Sequence, residues 1–257
     1  MPKIIFPEAS NEYIQEVVKN LNAKNICEAI AEEMPVEQAA EKVKTGEYDA
    51  MVAGVDYSSR DVILACRDHI GVPEGAKTFS SLFVCDFKDG RRYIVSDGAT
   101  CKNPTVEQLA DIVMLAHDAA TKILAETPRI AMLSFSTFGS GGKDPSMDKI
   151  RETIKLVHER RPEILVDGEM QLDAAVNPRI ADKKAPADSQ VAGCANVLIT
   201  PDINSGNILY KSLEQFAGAK LAGPILLGFK APVSDLSRGS TVEDIEFTTE
   251  CLVKLAK

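Results

Sequence analysis

Short runs of apolar residues recur along the chain, and segments with helical periodicity separate them. Runs that are apolar at nearly every position are typical of strands that helices cover on both faces. Their alternation with helical segments predicts an α/β protein with a mixed, mostly parallel sheet. The predicted strands are Ile4–Phe6, Ala50–Ala53, Phe79–Val84, Tyr93–Val95, Ile130–Leu133, Ile164–Val166, Val197–Ile199 and Ile225–Leu227.

A short Asp-Gly loop interrupts this parallel pattern. Residues 79–87 and 91–96 flank Lys88-Asp89-Gly90, and a short loop with Asp-Gly between two apolar runs is typical of a β-hairpin. The sheet is therefore predicted to contain one antiparallel connection.

Capping residues mark the starts of three helices. The strongest prediction is a helix over Val106–Ala125, because Thr105 and Gln108 can form a capping box ahead of an apolar stripe of period 3.6. The same reasoning assigns the two later helix starts to an N-cap at Ser146 and to a capping box of Ser240 with Glu243.

Composition indicates a folded globular protein and excludes several kinds of ligand. The 257 residues are 45% hydrophobic and 26% charged, so the core needs no disulfide or structural metal. The net charge of -9 disfavours nonspecific binding to nucleic acid or anionic membranes, because their phosphates would be repelled. A site for an anion would have to be locally basic or built from backbone N–H groups.

Neither the cysteines nor the N-terminus suggests a metal site or export. The six cysteines include no Cys-x-x-Cys pair, and no histidine lies at metal-ligand spacing from them. Met1–Glu8 lacks the charged and long apolar regions of a signal peptide, and no apolar run reaches the length of a membrane span. We therefore expect a cytoplasmic protein without a zinc site.

The first candidate site is the segment Gly223–Gly239, in which an apolar strand leads into a loop rich in Gly and Pro and then into a helix. Ligands of open α/β sheets bind beyond the carboxyl ends of strands, where helix N-termini offer N–H groups to anions. Ser237 supplies a hydroxyl, Arg238 can bind a phosphate through two bonds, and Asp244 supplies a carboxylate one turn into the helix. Capping of the helix start by Ser240 and Asp244 explains these residue types equally well.

The second candidate site is the loop Leu133–Lys143, which also follows an apolar strand and is rich in hydroxyls and glycines. Such composition is typical of loops that hold phosphate. The loop is not a P-loop, because Asp144 follows Gly142-Lys143 where that motif requires Ser or Thr. A flexible surface turn explains the composition about as well.

Two further strand ends carry polar residues. One of them carries three acids close together in sequence, Asp167, Glu169 and Asp173, and such a cluster could bind Mg²⁺. A role in hydrogen bonds that fix loops and cap helices explains these acids better, because no phosphate–metal motif accompanies them. The segment Asp202–Lys211 opens a helix with residues that form turns and caps. Because four polar loops follow four strands, we predict one cleft at one edge of the sheet.

Taken together, these segments resemble the phosphate acetyl/butyryltransferase family, the phosphotransacetylase-like proteins. The similarity runs in one order over about Met51–Lys257. The motifs that carry it are PVSDLSRG (232–239) with EDI (243–245), AMLSFSTFGS (131–140), DGEMQLDAA (167–175), KAP (184–186), VAGCANV (191–197) and NSGNI (204–208).

The resemblance implies a two-lobed α/β/α fold with the architecture of isocitrate and isopropylmalate dehydrogenases. Residues 1–76 with 223–257 would form a discontinuous first lobe. Residues 77–222 would form the second lobe, through which family members usually dimerise, and the active site would lie in the cleft between the lobes. Because residues 1–50 alone precede Met51, the chain would be a compact member with a shortened N-terminal lobe.

The same resemblance implies reversible transfer of an acetyl or other short acyl group between coenzyme A and inorganic phosphate. Asp244 would take the proton of the coenzyme A thiol, Ser237 would bind the developing oxyanion or the leaving group, and Arg238 would hold the phosphate. The residues implied for phosphate or acyl phosphate are Ser136, Thr137, Gly139 and Ser140, and those for coenzyme A are Ser58, Ser59, Arg60 and Arg67. Neither a metal nor a bound cofactor is implied, since coenzyme A would be a co-substrate.

Two positions depart from the pattern of the family. Relatives have an arginine where this chain has Tyr13, and another where it has Leu64. Those arginines help to bind coenzyme A in relatives. Arg60 and Arg67 stand four residues before and three after Leu64, so on a helix they would share its face.

A noncatalytic relative that binds coenzyme A or acyl phosphate is an alternative hypothesis, and the two missing arginines favour it. Retention of Ser237, Arg238 and Asp244 favours the enzyme. A dehydrogenase or synthase of similar fold is a third hypothesis, which no nucleotide-binding fingerprint supports. Acetyl and butyryl groups both fit the leading interpretation.

Overall fold

The buried apolar runs form strands in the computed structural model, which describes residues 1–74 and 76–256. Gly75 and Lys257, which were assigned to the first lobe, lie outside the described residues. The strands are β1 (Lys3–Phe6), β2 (Glu28–Ala31), β3 (Ala50–Ala53), β4 (Ser80–Asp86), β5 (Arg92–Ser96), β6 (Ile130–Leu133), β7 (Val166–Met170), β8 (Val197–Ile199), β9 (Lys220–Leu227) and β10 (Val233–Asp235).

Helices connect most of these strands, as the alternating pattern predicts. They are α1 (Glu12–Ala23), α2 (Val36–Lys44), α3 (Ser59–Ala65), α4 (Val106–Ile123), α5 (Pro145–Arg160), α6 (Leu172–Val176), α7 (Pro178–Lys184), α8 (Ile203–Ala217) and α9 (Val242–Leu255), with a π-helical turn at Cys66–Ile70. No helix within the described residues is both long and apolar enough to cross a membrane.

The chain divides into two compact units, and the first comprises the described residues of Met1–Ser81 and Lys220–Lys257. Its strands follow the order β2-β1-β3-β10-β9, and every neighbouring pair is parallel except β10 with β9. Helices α1 and α9 pack against each other, and α2 packs against α3, β3 and the π-helical turn. The carboxyl ends of β1, β3 and β10 therefore lie at one edge of this unit.

The second unit is Leu82–Ala219, with strands in the order β4-β5-β8-β6-β7. The antiparallel pairing of β4 with β5 confirms the predicted hairpin, and the other neighbouring pairs are parallel. The capping box of Thr105 and Gln108 is present at the start of α4, which packs against α5. The carboxyl ends of β5, β6, β7 and β8 share one edge of this unit.

Three sequence-based predictions about elements are wrong. Asp144 rather than Ser146 caps α5, since Asp is as good an N-cap as Ser and Pro145 fits the first helical turn. Thr241 rather than Ser240 caps α9, so the carboxylate of its capping box belongs to Asp244 and not to Glu243. The sheet has a second antiparallel connection, because the short strand β10 returns beside β9.

The boundaries of the units differ slightly from the predicted lobes. The first unit extends to Ser81 instead of residue 76, and the chain re-enters it at Lys220 instead of Gly223. That residues 77–222 mediate dimerisation stays a prediction.

Candidate active site

The loop after β10 presents Ser237 and Arg238 on an exposed turn. The N–H of Leu236 donates to the Ala53 carbonyl at 2.6 Å, so the chain leaves the sheet only after β10 has paired with β3. The N–H of Gly239 then donates to the Ser237 hydroxyl at 3.4 Å. No ion pair or hydrogen bond to Arg238 is found among the described residues, so its five donors are available to an anion.

Asp244 is the third residue of α9 and is held in the capping box. Its Oδ2 accepts the N–H of Thr241 at 3.0 Å and the Thr241 hydroxyl at 2.7 Å, and its own N–H donates back to Thr241 Oγ1 at 3.2 Å. Its Oδ1 has no hydrogen bond to the described part of the chain. One oxygen thus stabilises the helix start, and the other is available to accept a proton.

The segment after β3 folds around the carboxylate of Glu8, a residue that is 3% exposed. Four backbone N–H groups donate to its two oxygens, from Gly54 at 3.0 Å, Val55 at 3.3 Å, Asp56 at 2.6 Å and Tyr57 at 3.0 Å. Such a set of donors compensates the buried charge and fixes the chain where it enters α3.

The predicted coenzyme A residues differ in what they contact. Ser58 is the N-cap of α3, and Ser59 and Arg60 follow it as exposed residues. Arg60 makes no ion pair within the described residues. Arg67 lies in the π-helical turn and binds Asp68 through two bonds of 2.7 and 3.1 Å, so Arg60 is the cation that is free to bind a ligand.

The predicted phosphate loop after β6 is built around Glu169, whose side chain is 1% exposed. Its Oε1 accepts the Ser136 hydroxyl at 3.0 Å and the Gly139 N–H at 2.7 Å. The Arg151 guanidinium donates to both carboxylate oxygens, at 2.9 and 3.0 Å. Burial acts to raise the pKa of Glu169, but these donors outweigh it and hold the pKa below the ordinary value.

Most polar groups of this loop bind one another. The Gly141 N–H donates to the Ser136 hydroxyl at 2.9 Å, and the Gln171 N–H donates to the Thr137 hydroxyl at 3.0 Å. The Thr137 N–H donates to Ser140 Oγ at 2.9 Å. Ser136 and Thr137 are buried, whereas Ser140 is exposed, so the Ser140 hydroxyl is the one turned toward solvent.

The other two carboxylates of the acidic cluster, Asp167 in β7 and Asp173 in α6, also have structural partners. Asp167 Oδ1 accepts the Gly168 N–H at 2.8 Å, and its Oδ2 accepts the Ser189 hydroxyl at 2.5 Å. Asp173 pairs with Lys184 at 3.0 Å. The described residues include no group of three His, Cys, Asp or Glu side chains arranged to hold a metal ion.

A cavity of about 560 Å³ lies beside this loop in the second unit. Its apolar walls include Leu133, Phe135, Leu172 and Leu209. On its polar side, Lys149 Nζ donates to the carbonyl oxygens of Pro104 and Pro201 and to the side chain of Asn103, at 3.1 to 3.4 Å.

Two buried acids organise these loops, and sequence analysis predicted that role for Glu169 but not for Glu8. Glu8 was noted only as part of the N-terminus, whereas the hydrogen bonds of Glu169 confirm the expectation that its cluster fixes a loop. Glu8 lies two residues after the buried strand β1, which is the signal that could have indicated its role.

The motifs that form these loops lie within a match to a known family. Residues 6–251 match the model described as Phosphate acetyl/butaryl transferase. The chain belongs to this family. The match includes Glu8, Arg60, Glu169, Arg238 and Asp244, so both units of the fold are covered.

Individual phosphate acetyltransferases are similar to this family member. It is 43% identical to the "Phosphate acetyltransferase" of Treponema pallidum over 88% of this chain and 69% of that protein. It is 41% identical to the protein of the same name from Clostridium acetobutylicum, over 82% of this chain and 64% of the relative. The chain thus spans about two thirds of the length of these curated relatives.

Solved structures agree with the fold. A phosphotransacetylase from Streptococcus pyogenes has a TM-score of 0.86 and 32% identity, covering 99% of this chain and 94% of its own. A 4-hydroxythreonine-4-phosphate dehydrogenase from Klebsiella pneumoniae, 10% identical with a TM-score of 0.58 over both whole chains, shares the fold alone. The dehydrogenase-like architecture expected from the sequence is therefore confirmed.

Proposed function

We propose that this chain is a phosphate acyltransferase that moves an acetyl or other short acyl group reversibly between coenzyme A and inorganic phosphate. The observation that carries the proposal is Arg238 beside Ser237, exposed and unpaired among the described residues, on a turn anchored by β10 within the matched family region. A guanidinium without a partner, next to a hydroxyl, suits the binding of a phosphate group.

In the direction of coenzyme A acylation, the coenzyme A thiol loses its proton to the unpartnered Oδ1 of Asp244. The sulfur then bonds to the carbonyl carbon of the acyl phosphate, and the Ser237 hydroxyl donates a hydrogen bond to the oxyanion that forms. The bond from this carbon to the phosphate oxygen breaks, and Arg238 neutralises charge on the departing phosphate. Asp244 returns its proton to solvent or to phosphate.

The two sets of predicted binding residues have separate parts in this proposal. The exposed Ser140 hydroxyl would contact phosphate, while Ser136 and Gly139 would hold the loop in shape through Glu169, and the buried Thr137 would do so through Gln171. For coenzyme A, the unpaired Arg60 would bind its phosphates, with Ser58 and Ser59 fixing the start of α3. Arg67 would contribute less, because Asp68 already occupies its guanidinium.

The deciding experiment is formation of acetyl-CoA from acetyl phosphate and coenzyme A, followed by the absorbance of the thioester bond. Wild type should turn over, and Arg238→Ala should be strongly impaired. Butyryl phosphate in place of acetyl phosphate would compare the two acyl groups. If wild type binds coenzyme A in a calorimeter but shows no turnover, the noncatalytic binding relative is the correct alternative.

We further propose a cytoplasmic homodimer that assembles through residues 77–222. Support for assembly comes from the family resemblance, and support for the location from the acidic composition. Light scattering coupled to gel filtration tests the homodimer, whose expected mass is twice the 27.8 kDa of one chain. Cell fractionation tests the cytoplasmic location.

A further inference from the structure

One carboxyl oxygen buried in the first unit has no hydrogen-bond partner in the part of the chain that the structure describes. Asp235, the last residue of β10, is 2% exposed. Its Oδ1 makes no hydrogen bond with any residue that the structure describes. A buried carboxylate oxygen that accepts no hydrogen bond is unfavourable, so such a group normally either gains a donor or carries a proton.

Glu8, the neighbouring buried acid, differs from Asp235 because both of its oxygens accept hydrogen bonds. Its two oxygens receive four backbone N–H groups from residues 54–57, which compensate its charge. When two buried carboxyls act on each other, the one with donors keeps the charge and the other is easier to protonate.

The surroundings of Asp235 agree with this division of roles. The pKa of Asp235 is raised to about 6, mainly by burial; the hydrogen bond with Ser59 acts to lower it, and the negative charge of Glu8 acts to raise it. The third titratable group beside it is the Cys66 thiol of the π-helical turn, whose pKa burial and the charge of Asp235 raise to about 12. Both ionisable neighbours are acids, so neither supplies a compensating cation.

Asp235 also joins two segments of the proposed site. It lies two residues before Ser237 in sequence, and its side chain interacts with Ser59 at the start of α3. Asp235 and Leu236 lie very close to the backbone of Gly54. A Cβ at Gly54 would come within 2.8 Å of Asp235 Oδ1 and 2.7 Å of the Leu236 backbone. Movement of either segment must therefore be transmitted to the other.

We propose that Asp235 is a positioning residue whose protonated carboxyl holds residues 54–59 against the segment that carries Ser237 and Arg238, so that proton uptake tightens coenzyme A binding. The kinetic part rests on the proposed function. Loss of the proton places a second, uncompensated charge beside Glu8 and loosens the contact between the segments.

The first test compares Asp235→Asn with Glu8→Gln, which make the same change of carboxyl to amide. Urea unfolding is measured for both variants and wild type between about pH 4 and pH 7. Because the pKa of Asp235 is raised in the folded state, its protonated carboxyl contributes to stability at low pH. This contribution is lost as the pH rises through about 6. The unfolding constant of wild type relative to Asp235→Asn should therefore rise by up to about a hundredfold over this range.

The control should behave differently, because Glu8→Gln removes an acceptor of four N–H bonds and should be destabilised across the whole range. If the ratio of the unfolding constants of wild type and Asp235→Asn stays constant with pH, Asp235 is not protonated in the folded protein. The same conclusion would follow if Asp235→Asn were destabilised as much as Glu8→Gln.

The second test measures the KM for coenzyme A of wild type and Asp235→Asn at each pH, so that titration of coenzyme A itself cancels in the ratio. The KM of wild type should exceed that of the variant increasingly above about pH 6, with kcat little affected. Equal KM values at every pH would overturn the link to coenzyme A. If wild type shows no turnover, the proposed function fails, and calorimetric coenzyme A binding then decides the same comparison.

Discussion

Arg238 is the residue on which binding of an anion should depend most, because its guanidinium is exposed and unpaired among the described residues. Arg238→Ala should raise the KM for phosphate at least tenfold, since it removes a charged, bidentate donor. Arg238→Lys keeps the charge but loses the planar pair of donors, so it should recover only part of the affinity. Steady-state kinetics in phosphate measures both, and an unchanged KM in Arg238→Ala would exclude Arg238 as the anchor.

Asp244 combines a structural bond with the proposed catalytic one, and substitutions can separate the two. Asp244→Asn keeps an oxygen for the Thr241 N–H, so the free energy of unfolding should change by less than about 1 kcal/mol. It removes the proposed base, so kcat should fall by roughly 10²–10⁴.

Thr241→Ala is the matched control for Asp244→Asn. It removes the cap and should cost about 1 kcal/mol of stability while the Asp244 carboxylate and most of the rate remain. Urea unfolding and turnover of both variants test the pair. Full activity in Asp244→Asn would mean that the base is a different residue.

At the scale of elements, the loop after β6 should depend on the carboxylate of Glu169. Glu169→Gln weakens the bonds to Ser136, Gly139 and Arg151 and should destabilise the protein by roughly 1–3 kcal/mol. Because the folded pKa is lowered, this stabilisation is present above the unfolded value of about 4.3 and is lost as the pH falls through the folded pKa.

The stability difference between wild type and Glu169→Gln should therefore shrink in acid, which urea unfolding from about pH 3 to pH 7 measures. Asp173→Asn is the control, since its carboxylate pairs with Lys184 near the surface and should contribute less than about 1 kcal/mol. Equal effects of the two variants would mean that Glu169 does not organise the loop.

The elements that the sequence predicted are those whose signal is local. Helix α4 has a capping box and an unbroken apolar stripe, and the β4–β5 hairpin has its Asp-Gly loop. Strand β7 was predicted at Ile164–Val166 but runs over Val166–Met170, because its polar Asp167 and Glu169 gain partners only from distant segments. The short strands β2 and β10 were missed, since their pairing partners rather than their own composition make them strands.

For the molecule as a whole, the candidate site could be predicted in kind but not in detail. Loop positions at strand ends follow from the α/β pattern, and the motif around Ser237 and Arg238 identified the chemistry. Which side chains face solvent could not follow from composition, because Ser136 and Ser140 belong to one loop and only the second is exposed. The compensation of Glu8 also depends on residues 46 to 49 positions away along the chain.

The pairing of β3 with β10, in which Met51 faces Val233, has a consequence for synthesis on the ribosome. All of Leu82–Ala219 emerges before β10 does, so that unit can complete its fold while the first unit still lacks two strands and α9. Until then, one edge of β3 has no partner, and a nascent chain exposes a strand edge that can pair with other chains. A ribosome that stalls between residues 82 and 232 would therefore display the most association-prone form of this protein.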